Sequence, residues 1–174
     1  MATDQNQYLG NPLLKKANVS VEFTKEQIQE YQKCMGDPVH FIQEHMKIVS
    51  LDEGLVPFKM YDFQQNMVKT FHDNRFTICK LPRQSGKSTT IIAYLLHYVL
   101  FNQNVNVAIL ANKSSTARDI LGRLQLGYEN LPKWLQQGVI SWNKGSLDLE
   151  NGSSILAAST SASAIRGGSY NIIF

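Results

Sequence analysis

The first twenty residues mix Asn, Gln and Gly with isolated apolar positions and follow neither the helical nor the strand period, which predicts a poorly ordered or extended lead-in over 1–20. Periodicity begins at Thr24. Thr24 and Gln27 have capping-box spacing, so a short helix is expected through Cys34, ended by Gly36. Asp37 and Pro38 restart a helix, as N-cap and first-turn residue, with Phe41, Ile42, His45 and Met46 spaced for one buried face. Gly54 and Pro57 then break the chain, and a third helix is expected from Tyr61 to His72 with Phe63, Met67, Val68 and Phe71 turned inward. Residues 21–57 read as an N-terminal helical segment and 58–174 as the core of the molecule.

From Arg75 onward short apolar runs alternate with helices, the pattern of βαβ units built around a parallel sheet. Residues 76–81 (Phe-Thr-Ile-Cys-Lys-Leu) read as a strand, followed by the polar stretch Pro82 to Ser88 and a long apolar helix from Thr89 through Leu100. A second strand, 105–110, feeds a helix that Ser114 or Ser115 would cap and that runs to about Tyr128. Asn143-Lys144-Gly145 and Asn151-Gly152 are turn signals, and 146–150 pairs with 154–158 across the second as a hairpin. Residues 170–174 form a last apolar strand.

Composition adds limits. With 174 residues, 43% apolar and 18% charged, the chain can bury one core and is neither disordered nor fibrous. Seventeen basic residues against fourteen acidic ones give +3, scattered, which is compatible with a polyanionic partner without demanding one. Cys34 and Cys79 lie far apart and outside any zinc spacing, and read as reduced thiols. The longest apolar run, 91–101, contains His97 and is about half a bilayer span, and the polar N-terminus carries no secretory signal, so an intracellular protein is expected.

The chemistry concentrates in Gly86-Lys87-Ser88, the end of a Walker A phosphate loop, here set between a strand-like run and a helix. A triphosphate needs several donors converging on its oxygens, and a tight loop entering a helix N-terminus supplies unpaired amides and a favourable dipole. Gly86 allows close backbone approach, Lys87 is placed to reach the outer phosphates, Ser88 to ligate Mg²⁺, and Thr89 to serve the α-phosphate side. The loop departs from the standard form in having Leu81 where a first Gly is usual, and Arg83, Gln84 and Ser85 inside it. An arginine there can act in cis on charge developing at a γ-phosphate; the other reading of Arg83 is a pair with a nearby carboxylate.

These residues resemble a known family, the ATPase domain of the large terminase subunit of tailed bacteriophages, nearest its T4-like branch. Residues 82–88 (Pro-Arg-Gln-Ser-Gly-Lys-Ser) are similar to that family's variant Walker A, and Tyr61-Asp62-Phe63-Gln64 resembles its upstream aromatic-Gln adenine motif. Leu131 to Leu135, Trp142 to Ser146, Asn151 to Ile155 and Arg166-Gly167 add to a resemblance that spans roughly 40–174. The resemblance implies an α/β P-loop NTPase of RecA/helicase-like type, a parallel sheet flanked by helices. It implies ATP and Mg²⁺ as cofactors, Lys87 and Ser88 on phosphate and metal, Arg83 as a cis arginine finger, and Gln64 as adenine reader. An amide offers the donor and acceptor that adenine presents, although Gln64 also reads as an exposed helix residue. Arg166 matches a family position near the active site and reads equally as a loop residue.

The same resemblance implies a DNA-packaging ATPase that translocates double-stranded DNA into a procapsid as an oligomer, with portal and small-subunit partners, in the cytoplasm of an infected bacterium. A Walker B strand ends in Asp-Glu, which holds Mg²⁺ and orients water; here the apolar run Tyr170 to Phe174 lacks the pair, while Asp148 and Glu150 alternate within the expected hairpin. A motor domain truncated at that strand is therefore expected, binding ATP weakly and hydrolysing it poorly. A helicase-like translocase and a non-catalytic anion-binding module are the other readings.

Overall fold

The structure, a computed structural model, describes residues 6–50, 52–160, 165 and 167–174. Two antiparallel hairpins and three helices precede the core: β1 (Gln7–Tyr8) with β2 (Asn11–Lys15), α1 (Lys25–Gly36), α2 (Pro38–His45), β3 (Lys47–Ser50) with β4 (Gly54–Pro57), and α3 (Asp62–Asp73). Both early helices start as their sequences require. Thr24 and Gln27 close the capping box on α1, and Asp37 ends α1 while its carboxylate accepts from the Val39 and His40 amides to open α2.

The core contains α4 (Lys87–Phe101), β5 (Asn106–Ala111), α5 (Ser114–Glu129), β6 (Val139–Trp142), β7 (Ser146–Leu149), β8 (Ser154–Ser159) and β9 (Ile172–Ile173). These strands form one five-stranded sheet in the order β6-β7-β8-β5-β9. β5 runs parallel to β8 on one side, with Val107 opposite Ile155, and to β9 on the other, with Val107 opposite Ile172. The β7–β8 hairpin turns at Asn151-Gly152 as its sequence predicts, and β6 adds a further antiparallel strand across the Asn143–Gly145 turn. The sheet is therefore mixed, where the alternation of runs and helices predicts a parallel one. α4 is apolar on all sides because it is surrounded: it packs on α2, α3, α5 and β5, and burial extends around it through Ile92, Leu95, Leu96 and Val99. Among the described residues no helix is long and apolar enough to cross a membrane.

Four expectations are corrected. Residues 76–81 form no strand; Phe76 and Ile78 are 84% and 96% exposed, and among the described residues no hydrogen bond joins this run to another segment. A strand exists only where a neighbour satisfies its backbone, and this run lies across a groove from β9 instead of alongside it. Residues 6–20 are anchored, not loose. Leu14 is buried, the Gln136 amide accepts from Lys15 N and donates to Leu13 O, and Glu150 binds Lys15 Nζ at 3.0 Å and the Asn18 amide at 2.9 Å. Phe63 faces outward beside Tyr61, while Met67, Val68 and the half-buried Phe71 make the inward face of α3. Finally, Lys113 occupies the N-cap of α5, without a side-chain cap, and Ser114 is its first residue.

Candidate functional site

Pro82 to Gly86 form a tight loop whose shape depends on two left-handed residues, Gln84 at φ +63° and Gly86 at φ +73°. Gly86 is the N-cap of α4, and Ser85 Oγ donates back to Pro82 O at 3.0 Å. The first helical hydrogen bond of α4 runs from Thr90 N to Gly86 O, reinforced by Thr90 Oγ1 on the same carbonyl. The amides of Lys87, Ser88 and Thr89 precede that bond, and among the described residues they have no hydrogen-bond partner. Three donors at the positive end of a fifteen-residue helix thus converge on the space in front of the loop.

Gln64, from the first turn of α3, holds this loop from behind. It is 3% exposed, its Oε1 accepts from Tyr61 N at 2.9 Å, and its Nε2 donates to Ser85 O at 3.3 Å. The contact is close enough to select glycine: a Cβ on residue 86 would fall 2.5 Å from Gln64 Nε2, in addition to the strain of the positive φ. The sequence places Gln64 facing a base, or exposed on its helix; in this structure both ends of its amide are engaged by backbone.

The loop separates two concave regions. On the Gln84–Gly86 and Thr89 side lies a cleft of about 840 Å³ walled by Ile48, Val56, Phe58, Tyr61 and Phe63. Tyr61 and Phe63 stack there nearly parallel, 5.9 Å between centroids, and both are exposed. The outer wall of this cleft is the β3–β4 hairpin, which the sequence reading missed. The β-branched pair Ile48-Val49 and the Gly54 turn, at φ +72°, were the signals for it. On the Lys87 side lies a groove of about 600 Å³ between residues 75–79 and Asn171 to Phe174, floored by Ile91, Tyr94 and Tyr98 of α4.

The structure brings Gln64, Gln84, Ser85, Gly86 and Thr89 together around the first cleft and places Lys87 at the second groove. Arg83 is exposed, and among the described residues no carboxylate lies within ion-pair distance of Arg83 or Lys87 and no hydrogen-bond partner meets the Ser88 hydroxyl. The loop therefore presents two cations and a free hydroxyl, a donor set suited to an anion and able to add one oxygen ligand to an oxygen-seeking divalent ion. Glu150 is engaged elsewhere. Partial burial raises its pKa, but the Gly138 and Asn18 amides and Lys15 outweigh that and hold it below the ordinary carboxylate value. Arg166 lies outside the described residues.

The overall fold is similar to the crystal structure of the HK97 bacteriophage large terminase, with a TM-score of 0.64 and 19% sequence identity, over 80% of this chain and 30% of that one. The chain thus spans less than a third of the length of that protein. Residues 78–174, from just before the loop through β9, match the family described as terminase large subunit, T4likevirus-type, N-terminal. On that match, the chain belongs to the T4-type family of terminase large subunits, as part of the N-terminal region.

Proposed function

We propose that this chain is the nucleotide-binding part of a phage DNA-packaging motor and that loop 82–88 holds the phosphates of ATP with Mg²⁺. The observation that carries the reading is the loop itself: the unpaired amides of Lys87, Ser88 and Thr89, with the Lys87 and Arg83 cations uncompensated, beside a cleft walled by a stacked aromatic pair. Family membership supports the packaging context, and with it double-stranded DNA, portal and small terminase subunit as partners of an oligomeric motor in the host cytoplasm.

In this reading the amides of the first turn of α4 take phosphate oxygens, Lys87 neutralises the outer phosphates, and the Ser88 hydroxyl supplies one metal ligand. With the Ser88 hydroxyl as its protein ligand, a Mg²⁺ ion held there would help offset the phosphate charge. Tyr61 and Phe63 offer an apolar face to the base. Gln64 links Tyr61 N at the start of α3 to Ser85 O of the loop, so the aromatic face and the loop are tied together through one side chain. Arg83, exposed on the same loop, would meet γ-phosphate charge as it develops. With no carboxylate paired to the loop among the described residues, binding is expected to outlast chemistry, with turnover close to background.

The test is titration of the chain with a fluorescent ATP analogue and Mg²⁺. Saturable binding that weakens by about tenfold or more in Lys87→Ala, and less in Tyr61→Ala, is the expected result. Absence of binding, or affinity indifferent to Lys87→Ala, would reject the motor reading. Steady hydrolysis abolished by Lys87→Ala would show that a carboxylate of this chain orients water after all.

A further inference from the structure

A second chemical cluster lies in the helical lead-in, on elements that the nucleotide site does not use. Glu30 and Cys34 are one turn apart on α1, and His40 and His45 lie on α2, brought back against them by the tight Asp37 junction. All three partners converge on a single atom: Glu30 Oε1 lies 2.7 Å from His40 Nε2, 3.0 Å from His45 Nε2 and 3.6 Å from Cys34 Sγ. The ligand atoms of Glu30, Cys34 and His45 are within 4.8 Å of one another. We propose that Glu30, Cys34 and His45 bind a zinc-type divalent transition-metal ion that ties α1 to α2, with His40 hydrogen-bonded to the Glu30 carboxylate beside it.

The donor set selects the class of ion. One thiolate, one imidazole and one carboxylate oxygen, with a fourth position left to water, suit Zn²⁺ and its neighbours in the first transition row, and not Mg²⁺ or Ca²⁺, which seek oxygen. Bonds of about 2.0–2.3 Å in a tetrahedral centre place the donors about 3.3–3.7 Å apart. The Glu30–Cys34 separation of 3.6 Å already lies in that range, His45 Nε2 is 3.0 Å from Glu30, and the three ligand atoms are all within 4.8 Å of one another. The surroundings are rigid: Cys34 is fully buried, its carbonyl accepts from His97 Nε2 at 2.8 Å, and the His45 ring stands edge-on to Trp134 at 5.7 Å.

Binding of the ion converts the Cys34 thiol to thiolate and releases that proton to solvent, with the His45 imidazole neutral and coordinating through a ring nitrogen.

The test treats the whole chain with a chelator and then titrates it with Co²⁺. The expected result is a 1:1 complex with a thiolate-to-cobalt charge-transfer band in the near ultraviolet and intense tetrahedral d–d bands, all displaced by Zn²⁺. Cys34→Ser should remove the charge-transfer band, whereas Cys79→Ser should leave it. Because Cys34 is fully buried and its replacement puts folding at risk, Glu30→Gln and His45→Gln at half-buried positions serve as a second measurement. Each should weaken Co²⁺ binding by about tenfold or more. No charge-transfer band in the folded wild-type chain would overturn the site, leaving a hydrogen-bonded network only. A band lost in Cys79→Ser, or an affinity unchanged in Glu30→Gln and His45→Gln, would overturn it equally.

Discussion

Two apolar runs of the core begin alike and end differently. Residues 106–111 and residues 76–81 both carry the short β-rich pattern of a strand beside a helix. The first is β5, with Val107, Ala108 and Ile109 fully buried and parallel partners on both sides. The second is joined to nothing among the described residues and exposes Phe76 and Ile78. Strand formation is decided by what stands next to the chain, since intrinsic preference for the extended state is worth only about 1 kcal/mol at most. For function the lesson is that loop 82–88 is held from its helical side and from behind, by α4 and Gln64, and not by a strand leading into it.

The sharpest way to break the comparison is to shorten the same residue type in both runs. Ile109→Ala removes a fully buried side chain from the central strand and should lower stability by about 2–5 kcal/mol. Ile78→Ala, at a nearly fully exposed position, should stay within about 0.5 kcal/mol. Urea denaturation midpoints of the two variants check this directly. Equal losses would mean that residues 76–81 pack as a strand in solution.

The same contrast explains how much of the molecule could be read in advance. Elements specified by local chemistry were legible: the capping box at Thr24, the Asp37-Pro38 start, the Asn151-Gly152 hairpin and the glycine that turns into α4. Each depends on contacts within a few residues. Misreadings arose where a distant partner decides. The lead-in looked loose because nothing near Leu14 reveals that Gln136 and Glu150, more than a hundred positions on, will hold it. Phe63 looked like core because helical spacing does not show that Tyr61 stacks on it at the mouth of a cleft. At the candidate site the loop residues were legible as a motif. The hairpin at 47–57 has local signals, but its place as a wall of the cleft and the two-sided engagement of Gln64 were not legible, since both depend on segments distant in sequence.

If the loop is braced by Gln64, removing that brace should matter more than any change in 76–81. Gln64→Ala strips hydrogen-bond partners from Tyr61 N and Ser85 O at a buried position, and should cost about 1–3 kcal/mol. It should also weaken nucleotide binding while leaving the Lys87 and Arg83 charges in place. Gly86→Ala tests the same brace from the opposite side, because the added methyl meets Gln64 Nε2 in a left-handed backbone. In the Gln64→Ala background that clash disappears, so the double variant should lose less than the sum of the singles. Additive losses by denaturation would show that the two residues do not meet in solution.

The smallest effect concerns the anchored lead-in, where the sequence pattern was weak, unlike that of 76–81, and yet the segment is held. Glu150 accepts from Lys15, Gly138 and Asn18, and the net result is a carboxyl titrating below its ordinary value of 4.5. A carboxylate whose pKa is lower folded than unfolded stabilises the protein above its unfolded pKa, and that contribution is lost as pH falls through the folded one. Glu150→Gln keeps the size of the side chain but turns an amide donor toward groups that already donate. It should therefore cost about 1–2 kcal/mol at neutral pH, a value modest because the group is partly exposed. Below pH 4.5 the wild-type chain loses the same contribution, so its denaturation midpoint should converge on that of the variant. A gap that persisted unchanged into acid would mean that the carboxylate charge is not what holds residues 6–20 to the core, and that burial of Leu14 and the Gln136 hydrogen bonds are sufficient.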